Sequence, residues 1–278
     1  MLTKSNLRIG LFDSGVGGLT VLREVYRQLP QESLLYFADS ARLPYGTRSP
    51  EEILQFVREI LDWMCAQGVK MIIMACNTSS ALALEIVRKE YDIPILGVIL
   101  SGAKAAVATG KRIGVIATPA TVASNAYPQA IQEIDPFTSV WQMPCPQFVP
   151  LIEQNLVYCD RTKEVARRYL EPLLQQDIDT LVYGCTHYRH LEGIIRSLLP
   201  DRVRVIDPAK YIVMAAEKEL SIMSLKNNLS ALPTRFCVSG SPQQFASLSR
   251  QWLGFTPNVE QINVKEPSIF MMTLNLLQ

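Results

Sequence analysis

Residues 71–98 read MIIMACNTSSALALEIVRKEYDIPILGV, and residues 180–207 read TLVYGCTHYRHLEGIIRSLLPDRVRVID. Laid one over the other, each opens with an apolar run, halts at a small residue and puts a cysteine sixth, Cys76 and Cys185. Hydrogen-bonding side chains follow (Asn77-Thr78 and Thr186-His187), then a helical stretch and a second apolar run. A shorter pair lies upstream of each copy: RIGLFDS at 8–14 and RIGVIAT at 112–118. One unit is therefore used twice, offset by 104 residues at the first strand (8 to 112) and by 109 at the cysteines (76 to 185).

Between these landmarks, short apolar runs alternate with amphipathic stretches. Strands are predicted at 8–12, 34–38, 70–75, 94–99, 112–117, 138–143, 179–184, 203–206 and 235–238. Helices are predicted over 50–67 and 161–176, and from SPQQ at 241–244 to Gly254. The first has a capping-box start, with Ser49 as cap, Pro50 at the first helical position and Glu52 three residues after the cap. Strands alternating with helices imply parallel sheets. The expectation is an α/β fold: two similar parallel-sheet α/β domains related by pseudo-twofold symmetry, with the active site in the cleft between them. Residues 1–98 plus 208–278 are expected to form the first domain and 99–207 the second, because 208–278 alone is too short for a robust core.

Composition narrows the function. Across 278 residues the formal net charge is +1 and 48% of residues are hydrophobic. Nucleic acid and anionic membrane both reward a basic face, so neither is expected as a partner. No apolar run approaches the roughly 20 residues of a membrane span, and MLTKSNLR at the N-terminus lacks a signal peptide's apolar core. A cytoplasmic protein is the expectation. Its six cysteines are widely spaced with no CxxC pair, which argues against a disulfide framework.

In open α/β sheets, ligands sit at the carboxyl ends of the strands. Asp13-Ser14, Cys76-Asn77-Thr78, Thr118 and Cys185-Thr186-His187 all fall at such ends. Each cysteine alone reads equally as a small buried hydrophobe. At the junction of a strand with a helix N-terminus, however, the helix dipole and free N–H groups favour a thiolate and can hold a carboxylate. FDSGVGGLT invites a nucleotide reading, with Asp39 as the ribose-binding acid. Against it, the dinucleotide fingerprint needs glycine where Thr20 stands, and Asp13 would repel a pyrophosphate. Gly15, Gly17 and Gly18 are instead expected to let the backbone approach a small ligand. In ADSARLPYG (38–46), Pro44, Tyr45 and Gly46 form either an ordinary turn or a ligand clamp built on Tyr45 and the backbone of Gly46. His187, two residues beyond Cys185, is placed to share its proton; His190 reads as a solvated helix residue. Glu153 is either a surface carboxylate or an acid near the second wall. Zinc would need more ligands than these motifs offer.

DSGVGG (13–18), PYG (44–46), ACNTSSA (75–81), GVIATPAT (114–121) and GCTHY (184–188) resemble the glutamate racemases of the aspartate/glutamate racemase superfamily, along nearly the whole chain. Aspartate racemases differ, carrying Glu after Cys-Thr where this chain has His187. YRHL at 188–191 departs from the family's Tyr-Pro-Leu, and Ser79 stands where Ala is common. The resemblance implies a two-base racemase without cofactor or metal, acting on L-glutamate and D-glutamate, supplying peptidoglycan synthesis and assembling as a homodimer. Carried over, Cys76 is the base for D-glutamate, assisted by Asp13, and Cys185 the base for L-glutamate, assisted by His187 and supported by Glu153. Ser14, Asn77, Thr78 and Thr186 hold the substrate's charged groups, and Pro44, Tyr45 and Gly46 receive its side chain. Thr118 and Thr121 complete the set. A Cys-nucleophile isomerase or hydantoin-type racemase, and a two-lobed solute receptor, are the alternatives.

Overall fold

The computed structural model describes residues 4–264. Among these residues the strands are β1 (Arg8–Asp13), β2 (Leu34–Ala38), β3 (Val69–Met74), β4 (Ile95–Gly97), β5 (Arg112–Ala117), β6 (Ser139–Pro144), β7 (Thr180–Gly184), β8 (Arg204–Ile206), β9 (Arg235–Val238) and β10 (Val259–Gln261). They form two sheets, ordered β10-β9-β2-β1-β3-β4 and β6-β5-β7-β8, in which every pairing is parallel. The inner order of the first sheet, β2-β1-β3-β4, is the order of the second. The sequence repeat is thus a structural repeat: β1 corresponds to β5 and β3 to β7.

The helices are α1 (Leu19–Gln28), α2 (Pro50–Ala66), α3 (Asn77–Val87), α4 (Val98–Thr109), α5 (Pro119–Ala123), α6 (Ala126–Ile134), α7 (Phe148–Glu153), α8 (Asp160–Gln175), α9 (Glu192–Leu198), α10 (Pro208–Ile222) and α11 (Pro242–Leu253). Their starts follow from local chemistry. Ser49 and Glu52 exchange hydrogen bonds as a capping box before Pro50, and Ser241 caps α11 in front of Pro242. Gly254 closes α11 in the left-handed conformation.

Both faces of each sheet are covered, which is why the strands read as continuous apolar runs rather than alternations. In the first sheet, Leu11, Tyr36 and Ile73 face α1 and α10, through Leu22, Ile212 and Ala216. Their neighbours Phe12, Phe37 and Ile72 face α2 and α3, through Val57, Leu61 and Leu84. In the second sheet Leu181 and Tyr183 pack under α8 through Val165 and Leu170. Val115 and Val182 turn to α4 and α6, through Ala103 and Ile131. Each fully buried Val, Leu, Ile or Phe among them contributes about 1.5–3 kcal/mol. After the second sheet the chain returns: α10 joins the first core and β9 pairs with β2. The sequence did not foretell β10, a three-residue edge strand with two exposed residues. Its pairing with β9 supplies what its composition does not.

This architecture sets the site. The ends of neighbouring strands β1 and β3 deliver Asp13 and Cys76, and the ends of β5 and β7 deliver Thr118 and Cys185.

Candidate active site

Cys76 is the N-cap of α3, and Cys185 caps the 3-10 turn Thr186–Leu191. Both are buried free thiols lining one cavity of ≈ 30 Å³. Ser14, Pro44, Tyr45, Gly46, Asn77, Thr78, Thr118, Thr186 and His187 line it as well. The remaining expected residues stand directly behind. Asp13 is fully buried; its Oδ1 accepts from the Gly15 amide (2.9 Å), and its Oδ2 accepts from Thr186 Oγ1 of the opposite wall (3.0 Å). Glu153, at the end of α7, lies with Oε1 2.7 Å from His187 Nε2, and His187 Nδ1 is 3.9 Å from Cys185 Sγ. Thr121 Oγ1 joins Thr118 (2.9 Å) and Thr78 (3.2 Å) in a triangle of hydroxyls that spans the two walls, with Thr78 and Thr118 2.9 Å apart.

A second cavity, ≈ 280 Å³ and bordered by Gly15, Leu43, Glu153 and Ser241, lies beside this one. It is larger but contains no thiol, so the chemistry belongs to the smaller space.

The electrostatics of the two walls differ. Burial and the neighbouring Asp13 charge push the Cys76 thiol up to about 12, against the opposing pull of the Ser79 amide. The thiolate expected from a helix N-terminus is therefore not the favoured form at Cys76: desolvation outweighs the dipole. Burial likewise raises Asp13, although His187 and the Gly15 and Thr186 hydrogen bonds act against it. Burial would lower the pKa of His187, but its contacts with Cys185 and Glu153 prevail and hold it well above the ordinary imidazole value. One wall thus holds the Cys76 thiol in its protonated form, and the other sets His187, with its pKa raised, beside Cys185.

The structure refines three readings and corrects one, that of His190. Tyr45 lines the cavity, but its hydroxyl donates to Asp39 and its side chain is buried. Asp39 is not available for a ribose, since Arg42 and Ser239 also bond to it (2.6 and 2.7 Å). The glycines serve wall-to-wall contact rather than ligand approach alone. A Cβ on Gly17 would sit 2.4 Å from Thr186 Oγ1 and 2.5 Å from His187 Nδ1, and one on Gly46 would sit 2.6 Å from Thr118 Cβ. His190 is buried, not solvated. Sequence reasoning also missed Tyr127, whose hydroxyl donates to Asn77 Oδ1 (2.7 Å), and Tyr36, which donates to the Gly15 carbonyl (2.9 Å). Neither carries a local signal, since α6 and β2 reach the site only through tertiary packing. Among the described residues no cluster of metal-ligating side chains occurs, and no helix is long and apolar enough to cross a membrane.

Known proteins resemble the chain in sequence and fold. The chain is 67% identical over 270 residues to a glutamate racemase of Gloeothece citriformis, covering 97% of each protein. It is 66% identical over 257 residues to one of Synechocystis sp., covering 92% of each. Among solved structures, glutamate racemase RacE1 of Bacillus anthracis superposes with a TM-score of 0.90 at 36% identity, over 93% of this chain and 98% of that one. The Francisella tularensis glutamate racemase, solved with D-glutamate, gives 0.88 at 36% identity, over 94% and 98%. The Asp/Glu/Hydantoin racemase family matches residues 9–216, three quarters of the length, including both cysteine motifs. With two parallel sheets meeting at paired cysteines, the chain belongs to the Asp/Glu/Hydantoin racemase family.

Proposed function

We propose that this racemase interconverts L- and D-glutamate by a two-base mechanism, with Cys185 acting on the L enantiomer and Cys76 on the D enantiomer. The observation that carries the reading is the pair of buried thiols at corresponding strand ends, lining one cavity from opposite sheets. Inversion at a carbon needs a proton removed from one face and another returned on the opposite face, so one base on each wall is the minimal equipment.

The protonation pattern suits the L direction. His187, held protonated, supplies positive charge 3.9 Å from Cys185 Sγ, which favours a thiolate there as proton acceptor. Cys76, held as a thiol, is the donor for the opposite face. When Cys185 takes the α-proton, the electron pair moves into the α-carboxylate as an enediolate, and Cys76 then gives its proton to carbon. The thiol and thiolate end up exchanged, ready for the D direction. Hydroxyls of Thr78, Thr118 and Thr186, together with the amides at the N-terminus of α3, are suited to stabilising the carboxylate as charge develops. The backbone of Tyr45-Gly46 is assigned to the side-chain carboxylate.

Both thiols must be reduced, which fits a cytoplasmic location. The resemblance assigns the product to peptidoglycan synthesis and the assembly to a homodimer. The division into 1–98 plus 208–278 and 99–207, of which 1–3 and 265–278 lie outside the described residues, belongs to the same proposal. The test is chiral analysis of L-glutamate incubated with the purified protein and with Cys76→Ala and Cys185→Ala. Racemisation by the parent, and a loss of about 1,000-fold or more in each variant, is the expected result. Substantial turnover by either variant would sink the two-cysteine reading.

A further inference from the structure

His190 lies in the 3-10 turn Thr186–Leu191, three residues after His187, so the two rings leave the same side of the turn. It belongs to the Cys185 wall, yet its principal partner comes from the other one. Its ring stacks on Trp252 of α11, with centroids 3.5 Å apart and planes inclined 30°. Its Nε2 is buried with no hydrogen-bond partner among the described residues, so the stack is the contact that ties it to the other wall. On its own side it meets the edge of His187, at 6.5 Å and 89°. Burial, with the nearby charges of His187, Arg23 and Arg189, pushes its pKa down to about 3, so the ring is neutral at physiological pH. Yet His190 does not line the cavity between the cysteines.

We propose that His190 is a positioning residue, a clasp from the Cys185 wall that grips Trp252 of the opposite wall and so holds His187 against Cys185 when the cleft is shut. The clasp acts by differential stabilisation. Separating the walls to admit substrate must break the stack, so this contact favours the shut state over the open one. In the shut state His187 stands between Cys185 (3.9 Å) and Glu153 (2.7 Å), with the Gly17 backbone packed against it. Without the clasp the turn is free to lift, and the step made by Cys185 suffers first. This rests on the reading of Cys185 as the base for L-glutamate.

The experiment compares the protein with His190→Ala, His190→Phe and Trp252→Leu, using L- and D-glutamate carrying hydrogen or deuterium at the α-carbon. For His190→Ala, kcat/KM should fall about two- to tenfold, the order expected for one aromatic pair. The fall must be equal in both directions, because the enantiomers have equal free energy. The isotope effects should separate: larger than the parent's with L-glutamate, where the Cys185 step has become more rate-limiting, and smaller with D-glutamate. Unchanged isotope effects alongside reduced activity would mean a structural role only and would overturn the clasp. Shifts of reversed sign would uphold the clasp and overturn the assignment of Cys185 to the L enantiomer. His190→Phe keeps the stack and should recover part of the rate; a rate equal to that of His190→Ala would refute the stacking contribution. Trp252→Leu, altered from the other wall, should reproduce the isotope pattern if His190→Ala fails to fold. The double variant should be within about twofold of the slower single one, because the two residues share one interaction; fully multiplicative losses would contradict it.

Discussion

Replacing Gly17 with alanine adds one methyl group where the two walls touch. Gly17 does not occupy the left-handed region, so alanine brings no backbone strain and its whole effect is steric. The new Cβ would lie 2.4 Å from Thr186 Oγ1 and 2.5 Å from His187 Nδ1. Ordinary contact begins near 3.4 Å, so the walls must separate by about 1 Å, a displacement that by itself can cost on the order of 100-fold in rate. Overpacking of this kind costs about 1–3 kcal/mol. The cleft has a relief the core lacks, since it can stay open. The cost should therefore appear in catalysis more than in stability. In a coupled or polarimetric assay, kcat/KM should fall about 10- to 100-fold, equally from L- and D-glutamate. The melting temperature should move by about 3 °C or less. Gly193→Ala is the control: nothing lies within 4 Å of its Cβ position, and the variant should keep full activity. A Gly17→Ala protein as fast as the parent would refute the claim that these walls must meet for turnover.

Tyr45→Phe should leave KM for glutamate within about twofold, because the lost hydroxyl bonds Asp39 rather than the cavity, and should cost about 1 kcal/mol of stability; a tenfold rise in KM would show that the hydroxyl binds substrate. The folded pKa of His187 is raised, so its contribution to stability is complete below the ordinary imidazole value of about 6.5 and is lost as pH rises through the elevated folded value. Denaturant titrations of the parent and His187→Asn should therefore differ most near pH 6 and converge toward alkaline pH, whereas a constant difference would contradict the shift. Aspartate should be racemised with a kcat/KM at least about 100-fold below that of glutamate, since a shorter side chain leaves its carboxylate short of the Tyr45-Gly46 backbone. Comparable values would place the specificity elsewhere.

The repeat was legible because its units are local: a buried strand, a cysteine at its end and a capped helix each leave a mark in a few consecutive residues. RIGLFDS and RIGVIAT announced corresponding strands, and their sheets have the same inner order. What stayed hidden depends on which distant group turns toward which. Nothing in PYG shows that the Tyr45 hydroxyl is taken by Asp39. The helix-terminus argument for a thiolate at Cys76 weighed the dipole without the desolvation that only packing reveals. His190 read as solvated because a polar residue between Arg189 and Leu191 has no local reason to be buried. Trp252, more than sixty residues away, provides the reason. The glycines of DSGVGG were recognised as sites of close approach, but at Gly17 the approaching group is the opposite wall, and at Gly18 it is Asp13 and Tyr36.

The most direct test of the two-base account follows the α-hydrogen. L-glutamate is incubated with the parent protein in D2O, and the two enantiomers are separated and weighed by mass spectrometry before a tenth or so of the substrate has reacted. With Cys185 removing the proton and Cys76 delivering another, the D-glutamate formed should carry deuterium at the α-carbon while the remaining L-glutamate stays unlabelled. D-glutamate that retains the original hydrogen would mean that a single group carries the proton across, and would contradict the account.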